Sequence, residues 1–277
     1  NQSQELTSME SILNAFQGNI GSYPATVTWC EMSITGDEKY NTLSNLAFIM
    51  VGIMGILERV NNCHVGGIKP STNLQSLLHS PSPMFLLSDL LIITIGLGSY
   101  LFHSTRLYIW QLSDELPMSL LLACYAKIQR DIYLRDKVGD GAEERRRRRR
   151  LSHTLTALYI LLLSISWSSY LLLSTHDLFV SFFTLQITVT VSAYVIGGRF
   201  KGEGGGWYEL LSIMCMTGGR LVWEEERRLY NSSSCPTSPV SVVYYLHSIW
   251  HVFSAAGHYY WVKGMEGEAR RVTEEEE

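Results

Sequence analysis

Apolar residues along this chain gather into seven runs, and the polar segments between them hold nearly all of the charge. The runs are Asn41–Leu57, Met84–Phe102, Leu112–Ile128, His153–Ser174, Leu178–Ile196, Trp207–Trp223 and Val240–Val262. Each is close to the roughly 20 residues a helix needs to cross the apolar core of a bilayer. The connectors read as solvated chain: 58–83 is rich in Asn, Gly, Pro and Ser, and 197–206 is GGRFKGEGGG. The sixth run is short and contains Arg220. The pattern predicts an all-α integral membrane protein, a bundle of seven transmembrane helices with no internal repeat. The expected organisation is an N-terminal segment 1–40, a transmembrane domain 41–263 with an Arg-rich loop at 129–150, and an acidic tail at 264–277.

The basic residues orient that bundle. With the N-terminus lumenal and the C-terminus cytosolic, 17 of the 22 Lys and Arg residues fall on the cytosolic side. The outer side holds Lys39, Arg106, Arg220, Arg227 and Arg228. Cytosolic enrichment of Lys and Arg is the rule for membrane proteins, so this orientation is the expected one. It also puts the sequon Asn231-Ser232-Ser233 on the side where glycans are added.

Composition agrees with a membrane protein. Charged residues make up 17% of the chain, against about 25% in soluble domains. The net charge of −4 says little, because acids and bases are segregated along the sequence. The first 28 residues lack a basic start followed by an apolar core, so no secretory signal is expected in them. The run Arg145–Arg150 reads either as a solvated cytosolic face or as an attachment to anionic lipid. Nothing else in that segment points to nucleic acid, and no obligate protein partner is evident. The five cysteines match no metal-binding spacing.

The chemistry concentrates in Gly98–Pro117, GSYLFHSTRLYIWQLSDELP. Ser99 and His103 are four apart and share a helical face. In the seven-span topology His103 ends the second helix, and Asp114, followed by Glu115, begins the third at the same depth. Asp114 there suits either a helix N-terminus or a reacting centre. HSIWH at His247–His251 places two further imidazoles on one face near the outer start of the last helix. Three histidines with an open fourth position is the layout of a catalytic zinc. Ionisable groups at membrane depth are costly, which makes this constellation the functional candidate. His64, His79, His153, His176 and His258 have no such company and read as structural.

These residues carry a resemblance. Ser99, His103, Asp114, Glu115, Leu116, Pro117, His247 and His251, together with TWCE at Thr28–Glu31 and NTLSNL at Asn41–Leu46, resemble the alkaline ceramidase family. That family lies in a wider superfamily of membrane hydrolases with the adiponectin receptors and GPI-remodelling lipases. The resemblance implies zinc on His103, His247 and His251, with Ser99 and Asp114 beside it. It implies hydrolysis of the ceramide amide to a sphingoid base and a fatty acid, in the endoplasmic reticulum or Golgi membrane. Two rivals keep the site: an ester-lipid hydrolase of the GPI-remodelling kind, and a receptor-like protein that uses zinc structurally.

The family's calcium site is altered here. Trp29 and Glu31 match, but Thr28 and Ser33 stand where an Asp and an Asn belong, and Glu38 follows across a shorter loop. Calcium prefers several hard oxygen ligands, so these losses weaken or abolish the site. Cys30 and Cys235 both fall on the outer, oxidising side of the topology, where a disulfide between them is expected.

Overall fold

The computed structural model describes residues 23–65, 81–137, 141–173, 176–196, 206–238 and 240–274. Two short helices come first, α1 (Cys30–Thr35) and α2 (Lys39–Ser44). Seven long helices follow among the described residues: α3 (Leu46–Val65), α4 (Pro81–Thr105), α5 (Tyr108–Lys137), α6 (Ala142–Leu173), α7 (His176–Ile196), α8 (Gly206–Asn231) and α9 (Leu246–Glu274). A single 3₁₀ turn, Val242–Tyr245, leads into α9. There is no strand among the described residues. An isolated bridge between Pro24 and Leu107 ties the N-terminal segment to the entrance of α5.

Three of these helices are long and apolar enough, on length and composition alone, to cross a membrane: Lys39–Asn61, Pro83–Thr105 and Glu143–Leu173. The surface supports the same conclusion. Leu57, Leu162, Leu173, Val189 and Leu221 are each more than half exposed. Apolar surface on this scale is a liability in water and ordinary against lipid. The chain has the character of a membrane protein.

Several helices run beyond the apolar runs that announced them. The segment 129–150, read above as a loop, is helical to Lys137 and again from Ala142, so Arg145–Arg150 lies on the opening turns of α6. The segment after Val262 continues α9 to Glu274, with Met265, Glu268 and Val272 buried. The sixth run extends through the EEERR segment to Asn231, because Glu226 is fully buried on that face and not solvated. Hydropathy marks where a helix is greasy, whereas its ends are set by packing and hydrogen bonds. The first run is also broken at Asn45, whose side chain donates to the Asn41 carbonyl at 2.7 Å.

The bundle closes around a cavity. α4 packs along both α3 and α5, α9 packs along α8 and returns against α3 and α5, and α7 lies against α5. α6 packs on α5 and α7 and leaves most of its length to the outside. One contact between α4 and α5 is unusually close. A Cβ on Gly98 would lie 2.3 Å from the Ser113 carbonyl oxygen. Pro117, four residues on, has no N–H to donate to that carbonyl, and the glycine lets α4 approach it. The Gly and Pro that bracket the motif therefore bring Ser99 and Asp114 together.

Cys30 and Cys235 form the disulfide expected from the topology, with Cα atoms 5.4 Å apart and 205 residues between them. Replacing both by serine is expected to lower unfolding stability by about 2–5 kcal/mol, as loss of a native disulfide does in small domains. Thermal unfolding of detergent-solubilised protein measures this, and an unchanged midpoint would contradict it. Cys124 and Cys215 are free thiols.

Candidate metal centre and its cavity

Two helix ends converge at one point. His103 sits near the end of α4, and His247 and His251 lie one turn apart at the start of α9. Nitrogen atoms of the three imidazoles all lie within 4.8 Å of one another. Ring centroids are separated by 4.9 Å (His103–His247), 5.2 Å (His103–His251) and 4.6 Å (His247–His251). All three residues are buried. Among the described residues this is the one cluster of His, Cys, Asp or Glu with such geometry.

Each ring is held from behind. His103 Nδ1 lies 2.5 Å from Glu38 Oε2, a carboxylate that only accepts, so Nδ1 carries the proton and Nε2 keeps its lone pair. His251 Nδ1 lies 2.7 Å from Ser44 Oγ, which already donates to the Asn41 carbonyl at 3.0 Å. That hydroxyl must therefore accept from Nδ1–H, which again leaves Nε2 free. His247 has Glu226 Oε2 3.8 Å from its Nδ1, and its ring stacks on Trp29 at 3.8 Å between centroids. Such outer partners fix the tautomer and orientation of metal-binding histidines. His103 Nε2 is buried without a hydrogen-bond partner among the described residues. An orphaned buried acceptor facing two other imidazoles fits a cation, and neutral imidazole suits zinc.

Ser99 is brought beside Asp114 by the Gly98 approach, and its Oγ is buried without a hydrogen-bond partner among the described residues. Asp114 is not a helix cap. α5 begins at Tyr108, which puts the acid nearly two turns inside, facing the cavity. Glu115, beside it, is buried and receives donors from Gln111 Nε2 (2.9 Å) and Tyr170 Oη (2.6 Å).

Of the four residues placed at the calcium site, three have protein partners here. The Glu31 carboxylate accepts from the Tyr40 and Asn41 amides at 2.7 and 2.9 Å, at the start of α2. Burial pushes the Glu31 carboxyl above its ordinary range, against the pull of those two amides. Glu38 supports His103, the Trp29 ring packs on His247, and Ser33 is exposed. Both carboxylates accept from protein donors.

Sequence reasoning missed the partners behind the histidines: Ser44, Glu226 and the role of Glu38. Ser44 lay within a run read as apolar, and Glu226 within a segment read as charged surface. It also passed over two histidines with partners. His176 Nδ1 lies 3.0 Å from Glu115 Oε1. His258 bridges Tyr125 Oη at 2.6 Å and Asp89 Oδ1 at 3.3 Å. His153 is exposed, while His79 and the side chain of His64 lie outside the described residues.

A cavity of about 270 Å³ runs inward from the histidines. Its walls are apolar, with Phe48, Ile95, Leu121, Phe183 and Met216 along its length. Asp114, His247 and His251 line one end of it, and Tyr125, His258 and Trp261 lie further along. From His247 to Trp261 along α9 is roughly 20 Å at the helical rise.

A lipid-facing helical bundle with three buried imidazoles, a serine and a carboxylate at the end of an apolar cavity defines a membrane protein with a candidate metal centre. The chain belongs to the Ceramidase family, whose model matches residues 21–276. Among curated relatives, the "Putative alkaline ceramidase dcd3A" of Dictyostelium discoideum is 37% identical over 106 residues, covering 37% of this chain and 36% of the relative. The "Putative alkaline ceramidase dcd3B" of the same organism is 25% identical over 260 residues, covering 86% and 84%. "Alkaline ceramidase 3" of Mus musculus is 30% identical over 106 residues, covering 37% and 33%. The matched stretch thus spans about a third of the first and third relatives and most of the second.

Proposed function

We propose that this protein hydrolyses the amide bond of ceramide, releasing a sphingoid base and a free fatty acid, with zinc held by His103, His247 and His251. The observation that carries the reading is the three-imidazole cluster at the end of a long apolar cavity. A buried amide between two hydrocarbon chains matches that combination of polar end and greasy walls. A bound zinc ion would supply Lewis-acid polarisation of a carbonyl and would acidify water.

The side chains of the chain divide the remaining work. Glu38 and Ser44 keep Nδ1 of His103 and His251 protonated and aim Nε2 inward. Asp114 is placed to take a proton at its carboxylate from attacking water and to return it to the leaving amine nitrogen. Ser99 Oγ is placed to donate to charge developing on the carbonyl oxygen. Ser99 is not read as a nucleophile, because its neighbour is an acid and both cluster histidines on α9 are committed to the metal. The apolar walls hold the hydrocarbon chains and exclude bulk water.

Seven spans, a lumenal N-terminus and a cytosolic C-terminus complete the reading, supported by the seven long helices and the bias of Lys and Arg. On this topology the metal centre is near the lumenal face, in the endoplasmic reticulum or Golgi membrane. The segment 1–40 then forms the lumenal block, 41–263 the hydrolase domain, and the helical end of α9 projects to the cytosol.

Incubating detergent-solubilised protein with ceramide and, separately, with an ester-linked phospholipid tests the reading. Fatty-acid release from ceramide is expected, at least about tenfold faster than from the ester, because the site is read as built around an amide. Release from the ester alone would transfer the protein to the GPI-remodelling kind. Release from neither by zinc-loaded protein would favour a structural metal.

A further inference from the structure

A second histidine-carboxylate pair lines the same cavity. His176 opens α7, and its Nδ1 lies 3.0 Å from Glu115 Oε1. Glu115 is held rigidly: Gln111 Nε2 donates to Oε1 at 2.9 Å, and Tyr170 Oη donates to Oε2 at 2.6 Å. Gln111 is in turn fixed to Thr26, whose amide and hydroxyl meet its side chain. Gln111, Glu115 and Tyr170 are all buried. An arrangement this ordered around a carboxylate in the middle of a bundle sets the state of its last partner. The carboxylate accepts, so His176 Nδ1 donates, and Nε2 is left as a lone-pair acceptor.

That acceptor has no hydrogen-bond partner among the described residues. His176 stands apart from the metal-ligand cluster yet shares the lining of its cavity with Asp114, His247 and His251. Its ring centroid lies 6.3 Å from that of Trp223, which lies 5.7 Å from Trp29, the ring stacked on His247. Glu115, which holds His176, is the residue next to Asp114. A buried acceptor without a donor penalises any occupant that cannot supply one. Sites of this kind discriminate strongly against analogues that lack the matching hydroxyl.

We propose that His176 is a substrate-binding residue whose Nε2 accepts a hydrogen bond from a hydroxyl flanking the scissile amide. The inference rests on the reading of ceramide as substrate, and it names the residue that separates a hydroxylated sphingoid amide from a plain fatty amide. Glu115 is a positioning residue that holds the accepting tautomer.

The test compares zinc-loaded parent, His176→Ala, His176→Gln and Glu115→Gln on ceramide and on an analogue lacking both sphingoid hydroxyls. His176→Ala is expected to lower kcat/KM on ceramide by on the order of tenfold to a hundredfold and to raise it on the analogue, which no longer leaves a buried acceptor unpaired. His176→Gln retains an acceptor near the same place and recovers part of the preference. Glu115→Gln, free to donate to Nδ1 and invert the tautomer, loses the preference as His176→Ala does. Zinc content is expected to match the parent in all three. Equal losses on both lipids, unchanged preference, or loss of zinc in the His176 variants would overturn the inference while ceramide turnover by the parent still stands. Failure of the parent itself to turn over ceramide would overturn the functional reading and this inference together.

Discussion

Replacing His247 with alanine is expected to remove metal from the protein and to lower fatty-acid release from ceramide by on the order of a thousandfold or more. The size of the effect follows from geometry. Three imidazole nitrogens within 4.8 Å leave no spare ligand, so losing one removes a third of the protein's donors. The change also deletes the ring on which Trp29 stacks, so some stability is lost with it. Metal analysis on the purified variant separates the two effects. A folded protein without zinc and without turnover is the expected outcome. A variant that keeps stoichiometric zinc would show that His247 is not a ligand.

The second large effect is at Asp114. Asp114→Asn preserves size and shape but cannot take up a proton, and kcat is expected to fall by about a hundredfold to ten-thousandfold. Zinc content is expected to stay at the parent level, because Asp114 is outside the cluster of ligand atoms. The contrast matters, since His247→Ala loses metal and rate together while Asp114→Asn loses rate alone. Rate measurements at saturating ceramide, with metal content on the same preparation, check it. Full activity in Asp114→Asn would remove the acid from the mechanism and leave proton transfer to another group.

The features that could be read from the sequence are those governed by spacing. Ser99 and His103 at i, i+4, and His247 and His251 likewise, fix two faces before any fold is known. The resemblance then joined those faces, and the structure brings the three imidazoles to one point. The Cys30–Cys235 bond was legible because the orientation expected from the Lys and Arg bias puts both residues on the same side. What stayed hidden depends on contacts between distant segments. Glu226 looks like surface charge in EEERR until α8 turns that face onto the Cys30 amide, which it accepts at 3.1 Å. Glu38, matched to a calcium ligand by its place in the sequence, meets His103 across 65 residues. His176 lacked a partner in its own segment because Glu115 is 61 residues away. Helix ends failed for a related reason. Hydropathy follows lipid contact, yet the charged ends of α5 and α9 stay helical where they pack on one another, as Arg271 does with Asp136 at 3.8 Å, and that of α8 where Glu226 is buried against the Cys30 amide.

The most direct measurement is metal content and ceramide turnover on one preparation of the full chain, before and after removal of metal by a chelator and again after zinc is restored. About one zinc per chain is expected, the count that a single three-histidine site holds. Turnover should vanish with the metal and return with it. Undiminished fatty-acid release from zinc-free protein would contradict a metal centre at His103, His247 and His251 as the seat of catalysis.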